Sequence, residues 1–261
     1  MADKKQSKSP VQSLDRAFGL LNIIADAPEG IALGALAQQA DLAPSTTHRL
    51  LGALEGQGMV AFDAQASAWQ IGLGAFQIGA AFLHRREFVA AARAPMRRLM
   101  QESGETVNLA ILNRGTVVFV AQIECDEVMR MAVKIGSVGP LHASAVGKAM
   151  LAFGATEEVD NLTANLHFPR LTDKTILDLP AFENELETVK NQGFAVDDEE
   201  QSLGLRCIAA PVFNEFAEPV CALSISGPTV RVTRERTAEL AEMVINAAHR
   251  VTTKLGGKFP H

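Results

Sequence analysis

The densest group of reactive side chains in the sequence is Asp197-Asp198-Glu199-Glu200, followed closely by Leu203-Gly204-Leu205-Arg206-Cys207. Adjacent carboxylates can hold a metal or exchange protons, but neighbours on an extended segment point to opposite faces, so only part of the run can share one site. With Cys207 as nucleophile, His142 or His167 as base and Asp197 as orienting acid, the residue types of a cysteine-dependent enzyme are present. The spacing carries none of the marks of one: no nucleophile elbow, no metal-spaced His/Cys set and no phosphate loop. A solvated acidic loop and a buried cysteine acting as a small apolar residue account for the same residues, so no catalysis, cofactor or metal is expected. Binding chemistry fits better. His142-Ala143-Ser144-Ala145-Val146-Gly147-Lys148 reads as a helix start built of small residues, whose free backbone N–H groups suit a carboxylate. Ser224 and Ser226, two apart on one face of a strand, can donate hydroxyls to the same anion.

A second chemistry lies near the N-terminus. Pro44 is favoured at the first position of a helix, and in the helix it opens, Thr47, Leu50, Leu51 and Leu54 face one way. Ser45, Thr46 and Arg49 face the other, with His48 at the border, so the outer face is short-chained and rich in hydrogen-bonding groups. Such a face can read base edges in a major groove. A run of cap-forming hydroxyl residues is the structural alternative. Bulk charge gives no help: the formal net charge is −6, and even over residues 1 to 87 Lys and Arg do not outnumber Asp and Glu. If DNA binds, a few placed side chains do the work.

The elements that must position these groups follow from periodicity. Leu14, Phe18, Leu21 and Ala25 make one apolar stripe, ended by Pro28-Glu29-Gly30, and Leu33, Leu36, Ala37 and Ala40 make a second, shorter one. The Pro44 helix follows and ends at Gly56 and Gly58. Met59 to Asp63 and Trp69 to Ile71 then read as a small ribbon. Three helices and a ribbon in this order predict a winged helix-turn-helix. Leu73, Phe76, Ala80 and Leu83 mark a connecting helix that ends in the basic run His84-Arg85-Arg86. Further on, a helix closed by Ser103-Gly104 precedes a hairpin, Thr106 to Leu112 and Thr116 to Ile123, turned by Asn113-Arg114-Gly115. A strand over Met129 to Val133, turn residues Gly136 to Pro140 and a helix over Ser144 to Phe153 are expected next. Then come a helix ending at Gly193, a strand Phe194 to Asp197, strands Cys207 to Phe213 and Val220 to Ser226, and a closing helix carrying Leu240 to Val251. Helices interspersed with antiparallel hairpins predict an α+β domain on a curved sheet.

At 261 residues the chain exceeds one usual domain, and 48% hydrophobic with 21% charged residues marks a soluble globular protein. No apolar run reaches the length of a membrane span and no secretory signal is expected. Three widely separated cysteines, Cys125, Cys207 and Cys221, exclude full disulfide pairing and predict the cytoplasm.

Six motifs in order carry a family resemblance. They are Pro10-Val11-Gln12-Ser13-Leu14-Asp15-Arg16-Ala17, Ala43-Pro44-Ser45-Thr46-Thr47-His48-Arg49-Leu50-Leu51, Gly104-Glu105-Thr106-Val107-Asn108-Leu109, Leu141 to Ala149, Asp197 to Val212, and Leu223-Ser224-Ile225-Ser226-Gly227-Pro228. Together, over roughly residues 10 to 255, they resemble the IclR family of bacterial transcriptional regulators, and closest the glyoxylate- and pyruvate-responsive members. The resemblance implies an arm over 1–9, a winged helix-turn-helix over 10–72, a connecting helix over 73–87, a GAF-like effector domain over 88–256 and a tail over 257–261. It implies a repressor, acting as a homodimer or dimer of dimers on palindromic operator DNA. Carried over residue by residue, the DNA-binding set is Arg16, Ser45, Thr46, Thr47, His48 and Arg49. The effector set is the Ala145 and Val146 amides with Asp197, Cys207, Ser224 and Ser226. Glyoxylate-type members carry Gly-Ala where this chain has Ala145-Val146, and the larger Val146 narrows the pocket. The stretch from Gln122-Ile123-Glu124-Cys125 to Met129-Arg130-Met131 is similar to the glyoxylate-responsive members and favours a two- or three-carbon oxoacid over an aromatic acid.

Overall fold

The computed structural model describes residues 11–84 and 87–260, with the side chains of residues 82–84, 156 and 158 also outside that description. The chain divides into two units, the first ending at residue 85. The lysine-bearing arm and the Arg85-Arg86 pair lie outside the described residues.

The first unit holds α1 (Gln12–Ala25), α2 (Leu33–Gln39), α3 (Pro44–Gly56), β1 (Val60–Asp63), β2 (Ala68–Ile71) and α4 (Leu73–His84). Asp41 takes a left-handed φ of 51° in the turn from α2 to α3, a conformation Asp tolerates better than bulkier residues. Leu20 and Ile24 of α1, Leu36 of α2, Leu51 of α3 and Val60 and Trp69 of the ribbon close one core. The stripe expected to bury α1 does not. Leu14, Phe18 and Ala25 are exposed, and Leu20 and Ile24 face the core instead. The helix is apolar on both sides, so periodicity alone cannot choose between them. Similarly, Leu73 and Phe76 of the expected α4 stripe are exposed.

The second unit is α+β: α5 (Glu87–Ser103), β3 (Thr106–Asn113), β4 (Thr116–Ile123), β5 (Val138–Gly139), α6 (Ala145–Leu151), α7 (Thr156–Ala164), α8 (Leu179–Gln192), β6 (Ala195–Asp198), β7 (Leu205–Phe213), β8 (Pro219–Pro228) and α9 (Thr237–Lys254). The six strands pair antiparallel in the order β5-β4-β3-β8-β7-β6. Alternation along each strand gives the sheet two buried faces. Val107, Leu109, Ile208, Leu223 and Ile225 pack under α5 and α9, while Cys207 and Ala209 belong to the core formed with α6 and α8. The strand expected over Met129 to Val133 is absent. The β4 edge is paired instead by Val138 and Gly139, within the segment expected only to turn, with the Gly136 N–H on the Phe119 carbonyl at 2.7 Å.

Candidate nucleic-acid interface and ligand site

In α3 the extended Ala43 precedes Pro44, whose ring fixes the first helical φ. Ser45, His48 and Arg49 are exposed, Thr46 is half-buried, and Arg16 is exposed on α1. Thr47 is fully buried, and its hydroxyl donates to the Ala43 carbonyl at 3.2 Å. It cannot reach DNA and is removed from the DNA-facing set, because its place in the helix turns it to the core with Leu51. The ribbon runs in register from Val60↔Ile71 to Asp63↔Ala68, with Phe62 against Trp69 and the Asp63 carboxylate accepting from the Gln65 and Ala66 N–H groups to form the tip. It returns so closely past the end of α3 that a Cβ on Gly72 would lie 2.3 Å from the Gly58 carbonyl oxygen.

In the second unit the predicted ligand residues form two adjacent cross-strand rows on one sheet face. Asp197, Cys207, Ser226 and Thr106 stand opposite one another across β6, β7, β8 and β3. Ala195, Ala209, Ser224, Asn108 and Gln122 form the next row. Asp197, Asn108, Ser224 and Ser226 are all buried. The Asn108 amide spans Ser226 Oγ at 3.2 Å and the Gln122 amide at 2.7 Å. Small side chains between the polar ones keep the floor low, and α6 lies over it. Ser144 caps α6, its hydroxyl accepting from Gly147 at 3.0 Å while its carbonyl accepts from Lys148 at 3.1 Å. That leaves the Ala145 and Val146 N–H groups as first-turn donors taken by no described acceptor.

The acidic run divides as strand alternation requires. Asp198 turns to Arg206 and Arg234, at 2.5 and 2.7 Å. Asp197 and Glu200 turn inward, the Glu200 N–H donating to Asp197 Oδ1 at 2.7 Å. Between them and α8, Lys148 is 1% exposed with its Nζ 2.6 Å from Glu200 and 2.9 Å from Glu185. Burial pulls the Lys148 ammonium down, but Glu200 and Glu185 outweigh it and hold its pKa above the usual lysine value. Burial, followed by repulsion from Glu200, pushes the Asp197 carboxyl up to about 7. Asp197 Oδ2 and Glu200 Oε2 are buried with no hydrogen-bond partner. Lys148, Glu185 and Asn108 were not among the predicted site residues. The signal for Lys148 was present: a lysine in a run of small apolar residues must find a carboxylate when its helix is buried.

The cysteine-enzyme arrangement does not assemble. Burial and the nearby Asp197 push the Cys207 thiol up, away from the thiolate a nucleophile needs. His142 is buried against Phe168 with its Nε2 3.2 Å from the Pro169 carbonyl, and burial lowers its pKa; His167 is exposed. Among the described residues no His/Cys/Asp/Glu group could hold a metal, and no helix is long and apolar enough to cross a membrane.

A winged helix-turn-helix unit joined to a unit with a buried polar floor defines a DNA-binding regulator governed by a small molecule. Residues 13–64 match the model of the IclR helix-turn-helix domain, and residues 80–253 match that of the bacterial transcriptional regulator IclR C-terminal domain. The chain belongs to the IclR family. It is 43% identical over 249 residues to the transcriptional repressor IclR of Escherichia coli K12, and 42% identical over 249 residues to the acetate operon repressor of Salmonella typhimurium. Each alignment covers 95% of this chain and 91% of the relative. The Thermotoga maritima IclR crystal structure aligns with a TM-score of 0.80 at 26% identity, covering 94% of this chain and 99% of that one. A Microbacterium hydrocarbonoxydans IclR homolog complexed with 4-hydroxybenzoate shares the fold, with a TM-score of 0.81 at 21% identity over 94% of this chain and 99% of that one. The protein is therefore a transcriptional regulator of the repressor type and not an enzyme, and its DNA binding responds to a small-molecule effector.

Proposed function

We propose that this repressor reads a palindromic operator through α3 and the ribbon, as a cytoplasmic homodimer or dimer of dimers, and that a small monocarboxylate sets its operator affinity. Glyoxylate is the first candidate and pyruvate the second. The observation that carries the ligand site is the buried, partnerless Oδ2 of Asp197 in the same cross-strand row as Ser226, with the small Cys207 between them and Ser224 in the next row. A carboxylate held by the Ala145 and Val146 amides and the two serine hydroxyls gains charge-assisted hydrogen bonds. A hydroxyl on the same ligand, as in hydrated glyoxylate, gives Asp197 Oδ2 its missing partner, donating to the ionised carboxylate or accepting from the protonated one. Cys207 is one of the small floor residues that give a two-carbon acid room, and Val146 excludes a ring. In the DNA-binding unit the proposed contacts are Ser45, Thr46, His48 and Arg49, with Arg16. The domains assigned to these roles are residues 10–72 and 88–256, with the helix at 73–87 transmitting between them.

Calorimetry with the full chain tests the ligand. Glyoxylate should bind saturably, and Ser224→Ala with Ser226→Ala should weaken it by about 1–3 kcal/mol, the cost of polar groups left unpaired. Tighter binding of an aromatic acid than of glyoxylate would overturn the assignment.

A further inference from the structure

Asp197, Glu200, Glu185 and Lys148 form one cluster: Glu200 and the half-buried Glu185 share the buried Lys148, and the buried Asp197 accepts from the Glu200 N–H. Asp197 on β6 is faced by Glu200 from the turn that follows, by Lys148 from α6 and by the Cys207 thiol from β7. Behind Lys148 stand Glu185 of α8 and His142. The cations beyond β6, Arg206, Arg234 and Lys174, serve Asp198 on the opposite face. Lys148 is already committed to Glu200 and Glu185. Fully ionised, the cluster would carry two uncompensated negative charges, with Asp197 Oδ2 and Glu200 Oε2 both lacking a donor. An anionic effector placed beside Asp197 would add a third.

We propose that binding of a carboxylate effector is coupled to uptake of one proton by the Asp197–Glu200 carboxyl pair, so that the regulator senses effector and proton jointly. The inference rests on the effector site proposed above. The proton comes from solvent, bonds to a carboxylate oxygen of the pair and turns an orphaned acceptor into a donor. Asp197, pushed up to about 7, is divided between its two forms near neutrality, and an arriving anion drives it to the protonated one. Linkage fixes the sign: the bound state holds more protons, so acid strengthens binding and alkali weakens it.

The test is glyoxylate calorimetry on the full chain from pH 6 to 8, in paired buffers of contrasting ionisation enthalpy that contain no primary amine. Glyoxylate remains an anion throughout. The expected result is uptake of close to one proton per ligand at pH 8, little uptake at pH 6, and a dissociation constant that rises toward about tenfold per pH unit above pH 7. Asp197→Asn should abolish both the buffer dependence and the pH slope. Wild-type binding with heats independent of buffer and affinity independent of pH would overturn the coupling while leaving the site intact, as would an Asp197→Asn profile identical to the parent's. If Asp197→Asn binds too weakly to measure, the wild-type buffer comparison decides alone. Failure of both glyoxylate and pyruvate to bind at any pH would refute the effector site itself, and with it the coupling.

Discussion

Arg49 and Thr47 lie two residues apart on α3 and do opposite work. Arg49 projects from the exposed face and Thr47 is locked to the Ala43 carbonyl in the core. Removing a base-edge contact costs about 1–3 kcal/mol, so Arg49→Ala should weaken operator binding by that amount and relax base preference, as a mobility-shift titration against operator variants would show. In the ligand unit, Lys148→Met should destabilise the fold by about 3–5 kcal/mol in a denaturant titration, because it strands Glu185 and Glu200 without their cation. Asp197 sets a pH trend of its own. Its carboxyl holds a proton in the folded state, up to about pH 7, that the unfolded chain releases near 3.8. Its contribution to stability therefore falls as pH rises through that window. Asp197→Asn should consequently raise the melting temperature more at pH 8 than at pH 5. The inward-facing residues Asp197, Ser224 and Ser226 were legible because strand alternation fixes which neighbours share a face. Lys148 and Glu185 meet across 37 residues of sequence, and no local pattern specifies such a contact.

At the scale of elements, β3, β4, β7 and β8 could be read from β-branched runs punctuated by turn residues. α7 could not, since Val159 and Leu162 are its large apolar residues in an otherwise polar stretch. Met129 to Val133 looks like a strand by composition yet finds no ladder; the β4 edge at Val117 to Phe119 is paired by Gly136 to Gly139 instead. The two sides of α1 were equally apolar, so its core face was settled only by packing of Leu20 and Ile24 on α2 and α3. The ribbon is where a small change should tell most. With the Gly58 carbonyl 2.3 Å from its Cβ position, Gly72→Ala should cost about 1–3 kcal/mol by overpacking. It should also shift the ribbon relative to α3, so thermal melts and operator titrations should both report the change.

For the whole molecule, the first unit presents Leu14 and Phe18 on α1 and Phe76 and Ile78 on α4 to solvent, with Phe18 60% and Phe76 68% exposed. The homodimer proposed above would cover large apolar groups of this kind. Phe18→Ser with Phe76→Ser should therefore shift the protein toward monomer in light scattering and abolish tight binding to a palindrome whose half-sites lie about 34 Å apart. Association through the sheet of the second unit has little to work with. Its long strands β3, β4, β7 and β8 are all interior, and its two borders are β5, with two residues, and β6, with four. An exposed strand border is a template on which another chain can add itself by backbone hydrogen bonding, and amyloid-like growth starts from such templates. Borders this short have few amides and carbonyls of their own to offer, so the two outermost strands give a further chain little length on which to add itself.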